Sequence, residues 1–152
     1  MAKLFAGIFI TIIPAIAILS AGMNGKLGFL INMLTDSDGL PINLVYFWLT
    51  GILSSLLDNA PTYLVFFNIA GINSFDISAA EYLMNVIPET LLAISMGAVF
   101  MGAITYIGNA PNFMVRSIAE ENNISMPSFF GYILWSIIIL IPIYTVISII
   151  IF

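Results

Sequence analysis

Four long stretches of this chain are almost free of charge: Leu4 to Gly25, Gly39 to Ala80 with only Asp58 and Asp76 interrupting, Thr90 to Val115, and Asn122 to Phe152. A helix that crosses a membrane needs about 20 apolar residues in succession, so each stretch is long enough to meet the hydrocarbon core. Charged residues make up 7% of the chain against about 25% in an ordinary soluble domain, hydrophobic residues make up 61%, and the mean hydropathy is +1.13. A water-facing surface cannot be assembled from this composition. Three basic residues against eight acidic ones give a formal charge of −5. These charges sit in short connectors, so the acidic balance signals neither nucleic acid nor a charged substrate. Cysteine and histidine are absent, which removes disulfides, thiol catalysis, imidazole acid–base chemistry and the common zinc sites. With no nucleophile–base pair in view, the chain is expected to be neither an enzyme nor the holder of a cofactor.

The first apolar stretch reads as a span rather than a signal peptide, because Pro14 lies inside it and everything downstream is also membrane-like. From Lys26 to Thr35, Leu27, Leu30, Ile31 and Leu34 recur at helical spacing beside Lys26 and Asn32, the pattern of an interfacial amphipathic helix too short to cross. Thr35 to Pro41 reads as a turn-forming, water-facing linker, and Phe75 to Glu89 as a second polar connector. Phe129 to Phe152 is long enough to span with some tilt, and Tyr132 and Trp135 near its start suit an interfacial anchor.

The second and third stretches are both interrupted by the same tripeptide. Val45 to Leu57 and Thr62 to Ala70 flank Asp58-Asn59-Ala60-Pro61, while Thr90 to Ile107 and Phe113 to Glu120 flank Gly108-Asn109-Ala110-Pro111-Asn112. At 1.5 Å per residue the first pair of halves reaches only about 20 Å and about 14 Å, against about 30 Å of hydrocarbon. Two geometries remain for it: one proline-kinked crossing, or a re-entrant hairpin that turns at the break. The basic residues Lys3, Lys26 and Arg116 separate the two weakly. A re-entrant segment puts Lys3 and Arg116 on one side and a cytoplasmic N-terminus, whereas a spanning segment groups Arg116 with Lys26 and puts the N-terminus outside.

Irregular backbone at membrane depth survives only where protein buries it or a cavity is lined by it, because lipid satisfies no N–H or C=O. Transporters use such breaks as binding sites, with half-helix N-termini facing anions and half-helix C-termini with unwound carbonyls facing cations. Asn59, Thr62, Thr105, Asn109 and Asn112 supply side-chain oxygens at the breaks, and Asp58 supplies the one carboxylate inside an apolar segment. Such a group is a proton carrier or a cation ligand, or else caps a helix at the interface. A proline that merely kinks a helix is the plain reading of either break alone, and their repetition favours a site. Arg116 beside Glu120 reads as a side chain snorkelling to the interface, and Ala93 with Gly97 and Ala98 with Gly102 as close helix packing.

The pairing of LLDNAPTYLVFF at 56–67 with GAITYIGNAPNFMVRSIAEEN at 102–122 resembles the last part of the ion-transporter superfamily, in its citrate-transporter-like branch of sodium:proton antiporters. The resemblance covers almost the whole chain. It implies an all-α integral membrane domain over 1–152: three spanning helices, one of them broken over 88–121 and the last over 129–152, with a helical hairpin over 42–70 and an interfacial arm at Leu27 to Leu34. This is most of one inverted repeat. By position it assigns ion and substrate binding to Asp58, Asn59, Ala60, Pro61, Thr62, Thr105, Gly108, Asn109, Ala110 and Asn112, with Na+ at Asn59, Thr105 and Asn109. Related arsenite exporters carry a polar residue where Ala103 stands, so one cation ligand is expected to be missing or shifted. The implied function is secondary transport, Na+/H+ antiport first, in a multi-pass protein of the inner (plasma) membrane, with Na+ or H+ as coupling ion. The alternatives are sodium-coupled carboxylate or oxyanion transport, and a non-transporting subunit or truncated remnant. Expected partners are membrane lipid, the missing N-terminal repeat or a chain that replaces it, and a second copy in a homodimer, with no nucleic acid.

Overall fold

The computed structural model describes Ile10, Gly25, residues 28–74 and residues 76–152. The first span expected over Leu4 to Gly25 falls almost wholly outside them, as do Lys3, Lys26 and Leu27, and with them the charge test of topology. Among the described residues all regular structure is helical, apart from one isolated backbone bridge between Thr35 and Pro41.

The short helix α1, Gly28–Leu34, turns Gly28, Ile31 and Leu34 inward. The linker after it is folded rather than loose. The Asp36 carboxylate accepts the N–H groups of Asp38 at 3.0 Å and Leu40 at 2.8 Å, an Asx-type turn that Gly39 completes at φ +78°. Ile42 N–H then donates to the Leu34 carbonyl at 2.9 Å, which starts the next helix beside the end of α1.

Helix α2, Asn43–Leu56, is followed after two residues by α3, Asn59–Ala70. A straight helix would hold positions 46 and 66 about 30 Å apart. Instead the Tyr46 and Phe66 rings meet edge to face with centroids 6.4 Å apart, so the chain doubles back at Leu57 and Asp58. A 3-10 turn, Gly71–Asn73, leads towards α4, Ala79–Asn85. The polar connector expected over Phe75 to Glu89 therefore contains a helix. Its start is a capping box, in which the Ser78 hydroxyl accepts the Glu81 N–H at 3.2 Å and the Glu81 carboxylate accepts the Ser78 N–H at 3.4 Å.

Helix α5, Pro88–Met101, leaves α4 through a bend of 101°. It ends in a 3-10 turn, Gly102–Ile104; α6, Ala110–Glu121, and α7, Phe129–Ile151, follow. Among the described residues α7, at 23 residues, is the one helix long and apolar enough to cross a membrane by itself.

Helices α2 and α5 lie side by side and parallel. At their N-terminal ends the Thr90 hydroxyl donates to the Asn43 side-chain carbonyl at 2.7 Å, and Asn43 Nδ2 donates to Glu89 at 3.3 Å. Midway, Gly97 lies against the Phe47 carbonyl and Gly51 under the Met101 side chain. Near their C-terminal ends the Ser54 hydroxyl donates to the Ala98 carbonyl at 2.6 Å. Lipid is as apolar as leucine, so helices in a membrane gain from close backbone approach and interhelical hydrogen bonds rather than from hiding apolar area. The core at this seam follows that rule: Phe47, Ile94 and Met101 are fully buried around the glycines.

A Cβ at Gly97 would overlap the Phe47 backbone oxygen, which has no rotamer with which to yield. Gly97→Ala is expected to push α2 from α5 and cost about 1–3 kcal/mol. A thermal melt of the detergent-solubilised protein reads this as a lowered midpoint, and an unchanged midpoint would remove the seam from its central place.

Candidate functional site

The first break begins where α2 runs out of helix. Leu57 N–H still bonds the Leu53 carbonyl at 2.8 Å, then Leu57 and Asp58 turn extended and α3 starts at Asn59. Asp58 occupies the N-cap position, yet its carboxylate makes no capping hydrogen bond, and it enters no ion pair among the described residues. Its backbone carbonyl is used instead, accepting the Thr62 hydroxyl at 3.0 Å. Thr62 is buried, and Asp58 and Asn59 are half-buried. The plain reading of Asp58 as a capping residue therefore has no bond behind it.

The second break is held by one hydroxyl. Thr105 Oγ1 donates to the Ser55 carbonyl at 2.5 Å and accepts the N–H groups of Ile107 at 3.2 Å and Gly108 at 2.9 Å. One donor and two acceptor sites exhaust what a threonine hydroxyl offers. The expected role of the Thr105 side chain as a Na+ ligand thus meets a saturated oxygen, and its place is to pin the unwound loop to the end of α2. Asn112 reaches back from α6, donating at 3.4 Å to the Thr105 carbonyl and at 3.5 Å to the Gly102 carbonyl. Gly108 completes the joint, since a Cβ there would stand 2.8 Å from the Ser54 carbonyl and 2.9 Å from that of Ser55.

The second break therefore rests against the last turn of α2, directly ahead of the first break. Thr105, Gly108 and Asn112 gather around the carbonyl ends of α2 and α5, with Ala110 and Pro111 opening α6 behind Asn109. No hydrogen bond joins Asp58 or Asn59 to Asn109 among the described residues. The tripeptides also differ in register: Asn59 is the first residue of α3 with Pro61 third, whereas Asn109 precedes α6 and Pro111 is its second residue. Neither Asn109 nor Asp58 caps its helix, so both helix starts present N–H groups without a side-chain partner from the cap residue.

Ser54 and Ser55 belong to the site although neither was singled out above. Two small polar residues in succession just before the break were the available signal. A turn earlier on α2, the Thr50 hydroxyl is fully buried with no hydrogen-bond partner. Tyr132 also departs from expectation. It turns inward rather than to an interface, donating to the Ala103 carbonyl at 3.0 Å, while Trp135 is 62% exposed.

A groove of about 420 Å³ opens beside Asn59 between α3 and α5, walled by Ala60, Tyr63, Leu64, Ser95 and Val99. Parallel α2 and α5 bring two negative dipole ends to one place, and α3 and α6 start there with positive ends. Chemically, such an arrangement is able to hold a cation against carbonyls and Asp58, or an anion against N–H groups without a side-chain cap.

Thr105→Val keeps the shape and removes the hydroxyl, leaving the Ser55 carbonyl and the Ile107 and Gly108 N–H groups without this partner. The expected loss is about 2 kcal/mol. Thr105→Ser retains the bonds and is expected to lose less than about half of that. Denaturation in mixed micelles measures the pair, and equal loss in both would argue that the methyl group, not the hydroxyl, holds the loop.

A family model described as "Putative citrate transport" matches residues 1–152. No curated protein and no solved structure matches the chain. With every residue inside that match, the chain belongs to this citrate-transport family and is a membrane protein.

Proposed function

We propose that the chain supplies the binding half of a secondary active ion transporter, exchanging Na+ for H+ by an elevator-like movement of the hairpin formed by α2 and α3. One observation carries the reading. In a chain of this hydropathy two helices are interrupted, and Thr105 of the second interruption bonds the Ser55 carbonyl in the last turn of α2, three residues before Asp58, whose carboxylate has no cap bond and no ion pair among the described residues. A carboxylate left half-buried without a cap bond, and without an ion pair among the described residues, is suited to taking up and releasing a cation. In this reading the hairpin is re-entrant, Asn59 and Asn109 offer side-chain oxygens to Na+, and Thr105 fixes the loop that presents them. Asp58 carries the proton or the sodium. The groove beside Asn59 is the way in.

Sodium-coupled transport of a carboxylate is the second reading. It is favoured by the uncapped starts of α3 and α6 and by the description of the family. In either reading the other side of the path comes from a complementary repeat, in the same polypeptide or in a partner, within a multi-pass arrangement in the plasma membrane. The chain itself carries out no chemistry on what it moves.

Proteoliposomes with an imposed pH gradient test the first reading. Sodium-dependent dissipation of the gradient is expected, and Asp58→Asn is expected to cut it at least about tenfold, equivalent to about 1.4 kcal/mol. The assay is run on the chain alone and with the complementary repeat supplied. Exchange that persists unchanged in Asp58→Asn refutes the carrier role, and sodium-driven citrate uptake without proton exchange selects the second reading.

A further inference from the structure

The unwound loop at the second break is held from two sides, and the side away from the site has a construction of its own. Thr105 is extended, at φ −126° and ψ 163°, so the side chains of Thr105 and Tyr106 leave the backbone in opposite directions. Thr105 goes to the end of α2. Tyr106 goes to α7, where its ring stacks on Tyr132 with centroids 4.1 Å apart and planes 25° apart, and its hydroxyl donates to the Pro127 carbonyl at 3.2 Å. On its account Tyr106 is buried although it sits in a loop.

The Arg116 guanidinium stands 4.7 Å from the centre of the Tyr106 ring, and its Nε donates to Glu120 at 2.9 Å. Helix α6 buries no residue of its own. Arg116 is therefore a principal side-chain tie between α6 and the loop that leads into it, alongside Asn112. Tyr132 closes the ladder by donating to the Ala103 carbonyl in the 3-10 turn just before the loop. The order Glu120, Arg116, Tyr106, Tyr132, Ala103 runs from the exposed face of α6 through Tyr132 of α7 to the 3-10 turn that leads into the loop.

The geometry points to Arg116, Tyr106 and Tyr132 as positioning residues that set where the Thr105–Asn109 segment stands relative to the Asp58 tip. None of them is assigned to the ion site, and each acts through the loop. The inference rests on the ion-site reading for its meaning in transport. Its mechanical content stands apart: flat ring faces and a planar cation supply most of the hold of the loop against α7, to which the Tyr132 hydroxyl adds its one bond to the Ala103 carbonyl. Ring-retaining changes are then tolerated, and ring-removing ones are not.

The absence of native cysteine gives a clean reporter. Ile104→Cys places a thiol in the 3-10 turn at a buried position, and Ala93→Cys places one at a fully buried position on α5. Each is made in the whole chain, and its rate of modification by a membrane-impermeant cationic methanethiosulfonate is measured. Arg116→Gln and Tyr132→Leu are each expected to raise the rate at position 104 about fivefold or more, and Tyr132→Phe less than about twofold. The rate at position 93 is expected to stay unchanged throughout. No rise at 104 in Arg116→Gln overturns the proposal, as do parallel rises at both positions, which would mark general loosening of the fold, or a Tyr132→Phe variant as reactive as Tyr132→Leu. Added sodium separates the two readings. If sodium leaves the rate at 104 unaltered while the ladder variants raise it, the ion-site reading fails and the positioning role holds.

Discussion

A backbone that stops being helical among apolar side chains must find partners for its N–H and C=O groups inside the protein, and the rest of this structure follows from how that is met. One hydroxyl serves two amides of its own loop and the carbonyl of another helix, so Thr105 satisfies its loop and ties it to the last turn of α2 with a single side chain. Asn112 returns from the far side of the gap to cover one carbonyl of the 3-10 turn after α5 and one of the loop, those of Gly102 and Thr105. Leu57 keeps one last helical bond before the chain turns. The breaks are thus cheap enough to persist only because they adjoin. Separated and facing lipid, each would leave several groups unmet at a few kcal/mol apiece.

Adjacency in turn requires α2 and α5 to run parallel and end together, and that is set by what lies along their seam. Glycine at 97 lets one backbone reach the other at Phe47, Ser54 about two turns further along α2 bonds the Ala98 carbonyl, and Asn43 with Thr90 aligns the starts. Parallel alignment has an electrostatic consequence that antiparallel packing lacks. Two helix C-termini add their partial negative charges at one point, roughly half a charge each, in a region holding a carboxylate and no unpaired basic group among the described residues. A cation there would offset a repulsion already built in, while the helix starts of α3 and α6 turn N–H groups without a side-chain cap towards the same region.

Much of this was legible in the sequence, and what was not has a common cause. Proline and glycine act locally, so the helix starts at Asn59 and Ala110 lie where Asn-Ala-Pro marks them, and Phe129 to Ile151 is apolar enough to declare itself. The helix at Ala79–Asn85 was also announced, by Ser78 with Glu81 three residues on, but its polar surroundings read as a connector. The assignment of Thr105, by contrast, depends on a carbonyl 50 positions earlier in the chain, and that of Tyr132 on one 29 positions earlier. No periodicity encodes such contacts. An exposed-looking tyrosine near a span end and a threonine at a break have the same sequence signature whether they anchor, ligate or brace, and only the partner decides between these.

The depth of the site follows from two independent lengths. Helix α2 has 14 residues, so its C-terminal end lies about 21 Å from Asn43. Helix α7 runs the other way beside it, with Phe152 against Phe47 and Tyr132 against the second break. If α7 crosses about 30 Å of hydrocarbon, Tyr132 lies within about 5 Å of the end at Phe129, and the break lies one tyrosine side chain further in. Both lengths put the joined breaks past the midplane, nearer the side where α7 begins. A short barrier then separates the joined breaks from that surface and a long one from the end at Asn43. If the hairpin moves as proposed, its tip need not travel the whole membrane, because most of the distance is already covered by the length of α2.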